Sequence, residues 1–433
     1  MQNWQRVGTL ILIALGAWIV ALSTGRRLPY QLAYVLTGLL VGAWVVAWAN
    51  IRGVVFQRAT TTRRGHVGQW LEEHLSLSNR WWFPKLWVEV QDFSTLPGHR
   101  ASHVVPGIRS RSTYRWHVRT RLLSRGVFRL GPVRLISSDP LGLFTFSRDV
   151  PGHSDIVVYP YTAPLTFFPL RQGRFSGGAT VRQRASQVTT TVAGVREYQP
   201  GDTLNRIHWP TTARVGRLMT KEFEQDPLAD VWLVLDMHVE VYTGHQWFSE
   251  PEESVWFSFR QGPQKYPVPP HSGEYAIAAA ATLGRFILRH DRSLGLITYA
   301  PQRCLLPPDR GERQLHKLME TLAACRITGR VGLEQVLITE FSTFERYSTL
   351  IVITGNWTVR WLPPLLELRR RGISPIVVLV DSATFGALPS ARQVIPHLAK
   401  HGLPTFLLER EHSLEDALHH PVIAALEGTY PSR

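Results

Sequence analysis

The chain has 433 residues, enough for two or three domains with separate cores, and its hydrophobic share of 44% excludes a chain that is disordered throughout. Its two cysteines, Cys304 and Cys325, exclude a disulfide scaffold and a cysteine-based metal site. A formal net charge of +15 at pH 7 fits nucleic acid, an anionic membrane surface, an acidic partner, or a membrane protein that keeps its basic residues inside.

Residues 1–55 read as a transmembrane hairpin. Val7–Ser23 and Leu32–Ala49 carry no charge, and each is close to the roughly 17–25 residues that cross a bilayer. The short link TGRRLPYQ turns one back on the other, and the second run argues against a cleaved signal peptide. Trp4, Tyr30, Trp44 and Trp48 suit the interfaces. Arg6, Arg52, Arg58, Arg63 and Arg64 on the flanks outnumber Arg26 and Arg27 in the turn, so both termini are expected on the cytoplasmic side. Gly38 and Gly42 form a G-x-x-x-G that fits helix packing, within the hairpin or beyond it, or chance.

Residues 56–161 change to period-two patterning. Tyr114, Trp116 and Val118 share one face while Arg115, His117 and Arg119 share the other, which predicts half-buried strands in a small antiparallel sandwich. A nucleic-acid groove needs stacking rings among its basic residues. Here the rings fall on the core side, so the arginines from Arg109 to Arg134 read as a solvated face near anionic lipid, and no nucleic acid is expected. His99, His103 and His316 have no partner at a telling spacing. Residues 162–193 are rich in Gly, Arg, Ser, Gln and Thr and read as a linker or arm.

Residues 194–226 are dense in groups that need partners. The candidate residues are Gly194, Arg196, Tyr198, Gly201, Asp202, Arg206, Trp209, Arg214, Lys221 and Glu222. Pro200-Gly201-Asp202 reads as a turn, with Asp202 capping the segment Thr203–Trp209. Two readings stay open: a brace joining two domains through arginine–carboxylate pairs, or a docking surface.

Residues 227–433 alternate buried strands and helices, which predicts an α/β domain with a mainly parallel sheet. Val231–Leu235 is a continuous apolar run and Glu274–His290 a strong helix. Strands are expected at Leu294–Tyr299, Arg303–Leu306, Thr349–Thr354, Pro375–Val380 and Thr405–Leu408. Helices are expected at Gly311–Cys325, Leu333–Phe341 and Leu362–Arg371. No G-x-G-x-x-G follows a strand and no Walker A loop occurs, so a nucleotide enzyme has no support. Val241–Gly273 is long for a connection and reads as an insertion near the carboxyl end of the sheet, either a partner-binding loop or one whose aromatics pack onto the domain's own surface.

The pattern Gly194-x-Arg196-x-Tyr198-x-x-Gly201-Asp202, then Arg206-Ile207-x-Trp209, Ala213-Arg214, Leu218 and Lys221-Glu222 resembles the signature of the family called domain of unknown function 58. Ser124-Arg125-Gly126, Gly131–Val133 and Asp139–Phe144 are similar to its middle region. The resemblance implies a von Willebrand factor A-like C-terminal domain. Such domains often hold a divalent metal on D-x-S-x-S after the first strand; this chain has Asp236, His238 and Glu240 in that place. The site is therefore degenerate, no metal or other cofactor is expected, and Asp236 would cap local backbone. The resemblance also implies a non-enzymatic membrane-tethered adaptor that partners a MoxR-type AAA+ ATPase in assembly or maturation of a membrane or envelope complex. Glu240, His238 and the insertion would then form the recognition edge. A metal-dependent hydrolase using Asp236, His238 and Glu240 is the alternative.

Overall fold

The computed structural model describes residues 2–170, 192–199, 207–223, 230–245, 268–410 and 412–423. Two apolar helices, α1 (Gln2–Thr24) and α2 (Arg27–Ile51), pack as a hairpin; both are long and apolar enough to cross a membrane. Trp18 Nε1 donates to Thr37 Oγ1 at 3.0 Å between them. Ala14, Ala21, Ala33, Ala43, Ala47 and Ala49 of the hairpin are buried. A Cβ added at Gly38 or Gly42 would meet nothing within 4 Å, so the G-x-x-x-G is not what lets these helices approach.

The middle region holds ten strands: β1 (Val54–Thr60), β2 (Arg64–His66), β3 (Trp70–Asn79), β4 (Val88–Asp92), β5 (His103–Val105), β6 (Thr113–Arg121), β7 (Gly126–Leu130), β8 (Val133–Ser138), β9 (Thr145–Val150) and β10 (Ser154–Tyr159). They form sheets β1-β3-β6, β5-β4-β8-β9 and β2-β10-β7. Leu77, Phe56, Tyr114 and Trp116 from the first sheet pack against Val88, Val90, Val133 and Leu135 from the second, which is the predicted sandwich. Arg115, His117 and Arg119 lie on the exposed face of β6, opposite its rings.

Residues 162–170 depart from the arm reading. Ala163 and Phe168 are buried in the core of the α/β domain, and Phe168 stacks on Phe406 with ring centroids 4.8 Å apart. The rest of the expected linker up to residue 191 lies outside the described residues. Then β11 (Val192–Glu197), α3 (Trp209–Val215) and β12 (Met219–Phe223) make a small separate unit.

The last domain runs β13 (Val231–Leu235), α4 (Ser272–Arg289), β14 (Leu294–Tyr299), β15 (Arg303–Asp309), α5 (Gly311–Ala324), α6 (Leu333–Thr339), β16 (Thr349–Thr354), α7 (Leu362–Arg370), β17 (Ser374–Val380), α8 (Ile395–Lys400), β18 (Thr405–Leu408) and α9 (Leu414–His419). Its sheet has the order β15-β14-β13-β16-β17-β18. Every pairing is parallel except β14 with β15, where the edge strand turns back. All five residues of β13 are buried because helices cover both faces. One core lies between the sheet and α4, the other between the sheet and α6, α7 and α8.

Candidate functional site

The strand order reverses between β13 and β16, and the crevice there is where an open α/β sheet places ligands. In this chain the crevice is closed. Asp236 follows β13 and is buried. Its Oδ2 accepts from Thr354 Oγ1 at 2.7 Å and its Oδ1 from the His238 N–H at 3.0 Å. Burial raises the Asp236 carboxyl above its ordinary range, with Thr354 and His238 opposing the shift. The chain then folds across the strand ends. Tyr242 donates to the Asp236 carbonyl at 2.8 Å, and Ser382 Oγ donates to the Val241 carbonyl at 2.7 Å. Asp236 thus acts as the local cap expected of it. Val239 and Glu240 are exposed and His238 is half-buried, and among the described residues no group of three His, Cys, Asp or Glu side chains converges as metal ligands.

The stem of the long connection is zipped at this same edge. Gly244 pairs with His271, and the His245 N–H donates to the Pro270 carbonyl at 3.1 Å. His271 Nδ1 accepts from the Gly273 N–H at 3.1 Å and caps α4. Burial holds the His271 imidazole below its ordinary pKa, which favours the neutral acceptor form used in the cap. Residues 246–267 of the insertion lie outside the described residues.

The signature segment folds as a β-α-β unit. β11 and β12 pair antiparallel, with Gly194 opposite Glu222 and Arg196 opposite Thr220, and the register shifts between Val192 and Gly194. The Tyr198 N–H donates to the Leu218 carbonyl at 2.8 Å, and the His208 N–H to the Met219 carbonyl at 2.8 Å. The helix starts at Trp209, where the sequence suggested an Asp202-capped segment would end, and its cap is His208, whose Nδ1 accepts from the Thr211 N–H at 3.3 Å. Gly216 stops the helix in the left-handed region, φ +73°. Trp209, Arg214, Val215, Arg217 and Leu218 are all exposed, and Arg217 pairs with Glu197 at 3.4 Å on the surface. Gly201, Asp202 and Arg206 lie outside the described residues, as do the side chains of Arg196, Lys221 and Glu222.

Sequence reasoning missed the residue that ties the sandwich to the α/β domain. Arg125, between β6 and β7, reaches across the boundary. Its Nε and Nη2 each donate to the Glu274 carboxylate at 2.9 Å. Its Nη1 donates to the carbonyls of Leu322, Ala323 and Cys325 at 2.9, 3.2 and 2.6 Å, at the end of α5. A guanidinium there answers a carboxylate and a helix C-terminus together. Only its place in Ser124-Arg125-Gly126, within the family-like pattern, signalled it. Arg64 adds an exposed ion pair with Glu320 at 2.8 Å.

A second missed feature lies inside the sandwich, where His99 is far from the bystander that spacing suggested. Its Nε2 sits 3.1 Å from Glu73 and 3.3 Å from Asp92, and Arg58 meets Asp92 at 2.5 Å. Its Nδ1 faces Thr120 Oγ1 at 2.8 Å. Burial alone would raise Asp92, but His99, Ser94 and Arg58 outweigh it and bring the carboxyl down to about 2. The cluster joins strands from two sheets.

Residues 194–255 match the family described as "Protein of unknown function DUF58". A curated relative, "Uncharacterized protein YeaD" of Bacillus subtilis (strain 168), is 22% identical over 342 residues, covering 76% of each chain. Solved structures give weak likenesses. The pilus adhesin SpaC of Lactobacillus rhamnosus GG has a TM-score of 0.27 at 11% identity, over 44% of this chain and 30% of that one. A CARDB domain from Pyrococcus furiosus has a TM-score of 0.19 at 9% identity, over 24% and 91%. The beta-glucosidase of Listeria innocua has 0.15 at 13% identity, over 23% of this chain and 16% of that chain. Scores this low carry no argument about fold or activity. The family match falls on the segment that the sequence singled out: residues 194–255 are similar to the DUF58 family, whose function is unknown.

Proposed function

We propose that the protein is a non-enzymatic adaptor, tethered to the membrane by α1 and α2, whose signature unit and α/β domain dock a protein partner on the cytoplasmic side. The partner class we infer is a MoxR-type AAA+ ATPase, acting in assembly or maturation of a membrane or envelope complex. The observation that carries this reading is the contrast between a closed sheet edge and an open signature unit. At the edge, Thr354 and Tyr242 spend their hydroxyls on Asp236, and Ser382 spends its own on the Val241 carbonyl. On the unit, Trp209, Val215 and Leu218 are 64%, 53% and 43% exposed beside Arg214 and Arg217, a combination of ring, aliphatic and cation that suits a protein interface.

The mainly parallel sheet, with an aspartate closing its first strand, supports a von Willebrand factor A-like domain adapted to binding. The excess of arginine on the hairpin's flanks supports cytoplasmic placement. A hydrolase built on Asp236, His238 and Glu240 lacks comparable support, because both Asp236 oxygens are already engaged. A photo-crosslinking residue in place of Leu218 or Glu240 tests the reading in intact cells. An adduct with an AAA+ ATPase at either position is the expected result; adducts with no ATPase at both positions contradict it.

A further inference from the structure

The connection between β3 and β4 reads Arg80-Trp81-Trp82-Phe83-Pro84-Lys85-Leu86-Trp87 and is welded to the end of α2. Lys85 Nζ donates to the Ala49 carbonyl at 2.6 Å, and the Leu86 N–H donates to Asn50 Oδ1 at 3.2 Å. Trp81 meets Trp48 edge-on, with ring centroids 5.9 Å apart. Gly53 turns the chain from α2 into β1 at φ +69°, and a Cβ there would lie 2.9 Å from Trp81 Cβ. The loop is therefore fixed at the level of residues 48–53.

That level is set by the length of α2. Its 25 residues span about 37 Å at 1.5 Å each, against a hydrocarbon core of about 30 Å. The last turns of α2 then stand in the headgroup layer, where Trp48 belongs. The loop packed against them shares that layer. Yet Trp82 is 68% exposed and Leu86 46% exposed, which would waste apolar surface in water. Four exposed arginines rim the loop. Arg52 lies 4.3 Å over the Trp48 ring. Arg80 and Arg111 donate their backbone N–H groups to the Gly53 and Trp81 carbonyls at 2.8 and 3.4 Å. The Arg109 carbonyl accepts from Asn79 at 3.2 Å. Apolar tips inside a cationic rim complement an anionic lipid surface.

We propose that the β3–β4 loop is a third membrane contact: Trp82 and Leu86 insert at the headgroup–acyl boundary, and the arginine rim binds anionic phospholipid. The contact fixes the tilt of the sandwich, and through Arg125 that of the α/β domain, relative to the bilayer. This inference rests on the membrane tether proposed above, and the test separates the two. In full-length protein with Cys304→Ser and Cys325→Ala, single spin labels are placed at Trp82→Cys, at Val41→Cys within α2, and at Arg313→Cys on α5. Each is read in vesicles containing phosphatidylglycerol by collision with oxygen against a water-soluble nickel chelate. Leu86→Cys is a second reporter should the tryptophan variant misfold.

The expected order is nickel-shielded at 41, partly shielded at 82 and 86, and open at 313. Arg80→Gln with Arg111→Gln, or vesicles of phosphatidylcholine alone, should move position 82 toward water. If positions 82 and 86 are as open as 313 while 41 is shielded, the loop contact is overturned and the tether stands. If 41 is open as well, both fail. No response to lipid charge overturns the role of the arginine rim.

Discussion

Arg125 joins the sandwich to the α/β domain through one carboxylate and three carbonyls. Removing one partner of a buried ion pair leaves the other unpaired and typically costs about 3–5 kcal/mol. Arg125→Ala should therefore lower the unfolding free energy in detergent by about 3 kcal/mol. Adding Glu274→Ala should recover part of that loss, because no buried carboxylate is then stranded; a double-mutant cycle read by chemical denaturation checks both. Asp236 gives the opposite contrast. Asp236→Asn keeps an acceptor for the His238 N–H or Thr354 and should cost about 1 kcal/mol, whereas Asp236→Ala orphans both donors and should cost about 2. Neither variant should abolish partner binding, which a co-purification assay measures; a metal enzyme would lose its activity in both.

Asp92 supplies a pH signature at the same scale. Its folded-state carboxyl lies at about 2, below the ordinary value of about 3.9. A depressed carboxyl contributes stability in full above its unfolded pKa and loses it as pH falls through the folded value. Stability should thus drop between about pH 4 and pH 2. Asp92→Asn should flatten that drop and cost about 3 kcal/mol near neutrality, because Arg58 and His99 lose a carboxylate. Thermal unfolding followed against pH distinguishes the two curves.

At the scale of elements, patterns that are local in sequence were legible and contacts between distant positions were not. The charge-free runs gave α1 and α2, and the apolar run Val231–Leu235 gave a strand buried on both faces. Short helices such as α8 and α9 span fewer than two turns and leave too little periodicity to read. Phe168 sits in an apolar stretch, residues 163–170, that was masked by reading it together with the polar residues 171–193, although its ring stacks on Phe406 in the core. The cluster of Arg58, Glu73, Asp92 and His99 draws on strands and loops far apart in sequence, so no spacing could announce it. The signature segment was found through its motif, while its shape, a hairpin carrying a seven-residue helix, was not foreseen. Because Trp209 and Leu218 point outward from that unit, Trp209→Ala with Leu218→Ala should change stability by no more than about 0.5 kcal/mol per site. A larger loss in thermal unfolding would mean that the two side chains are buried in the working protein.

For the whole molecule, side-chain contacts join one part to the next. Asn50 and Lys85 fix α2 to the sandwich, Arg125 fixes the sandwich to the α/β domain, and the sheet edge there is closed by its own side chains. In the proposed adaptor, these contacts would carry position from a membrane to the α/β domain. The most direct test is mild-detergent purification of the full chain from native membranes, beside a Trp209→Ala, Leu218→Ala variant shown to be folded. The adaptor account predicts that a AAA+ ATPase co-purifies with the wild type and is lost with the variant. Recovery of no ATPase with the wild type, or equal recovery with both, would contradict it.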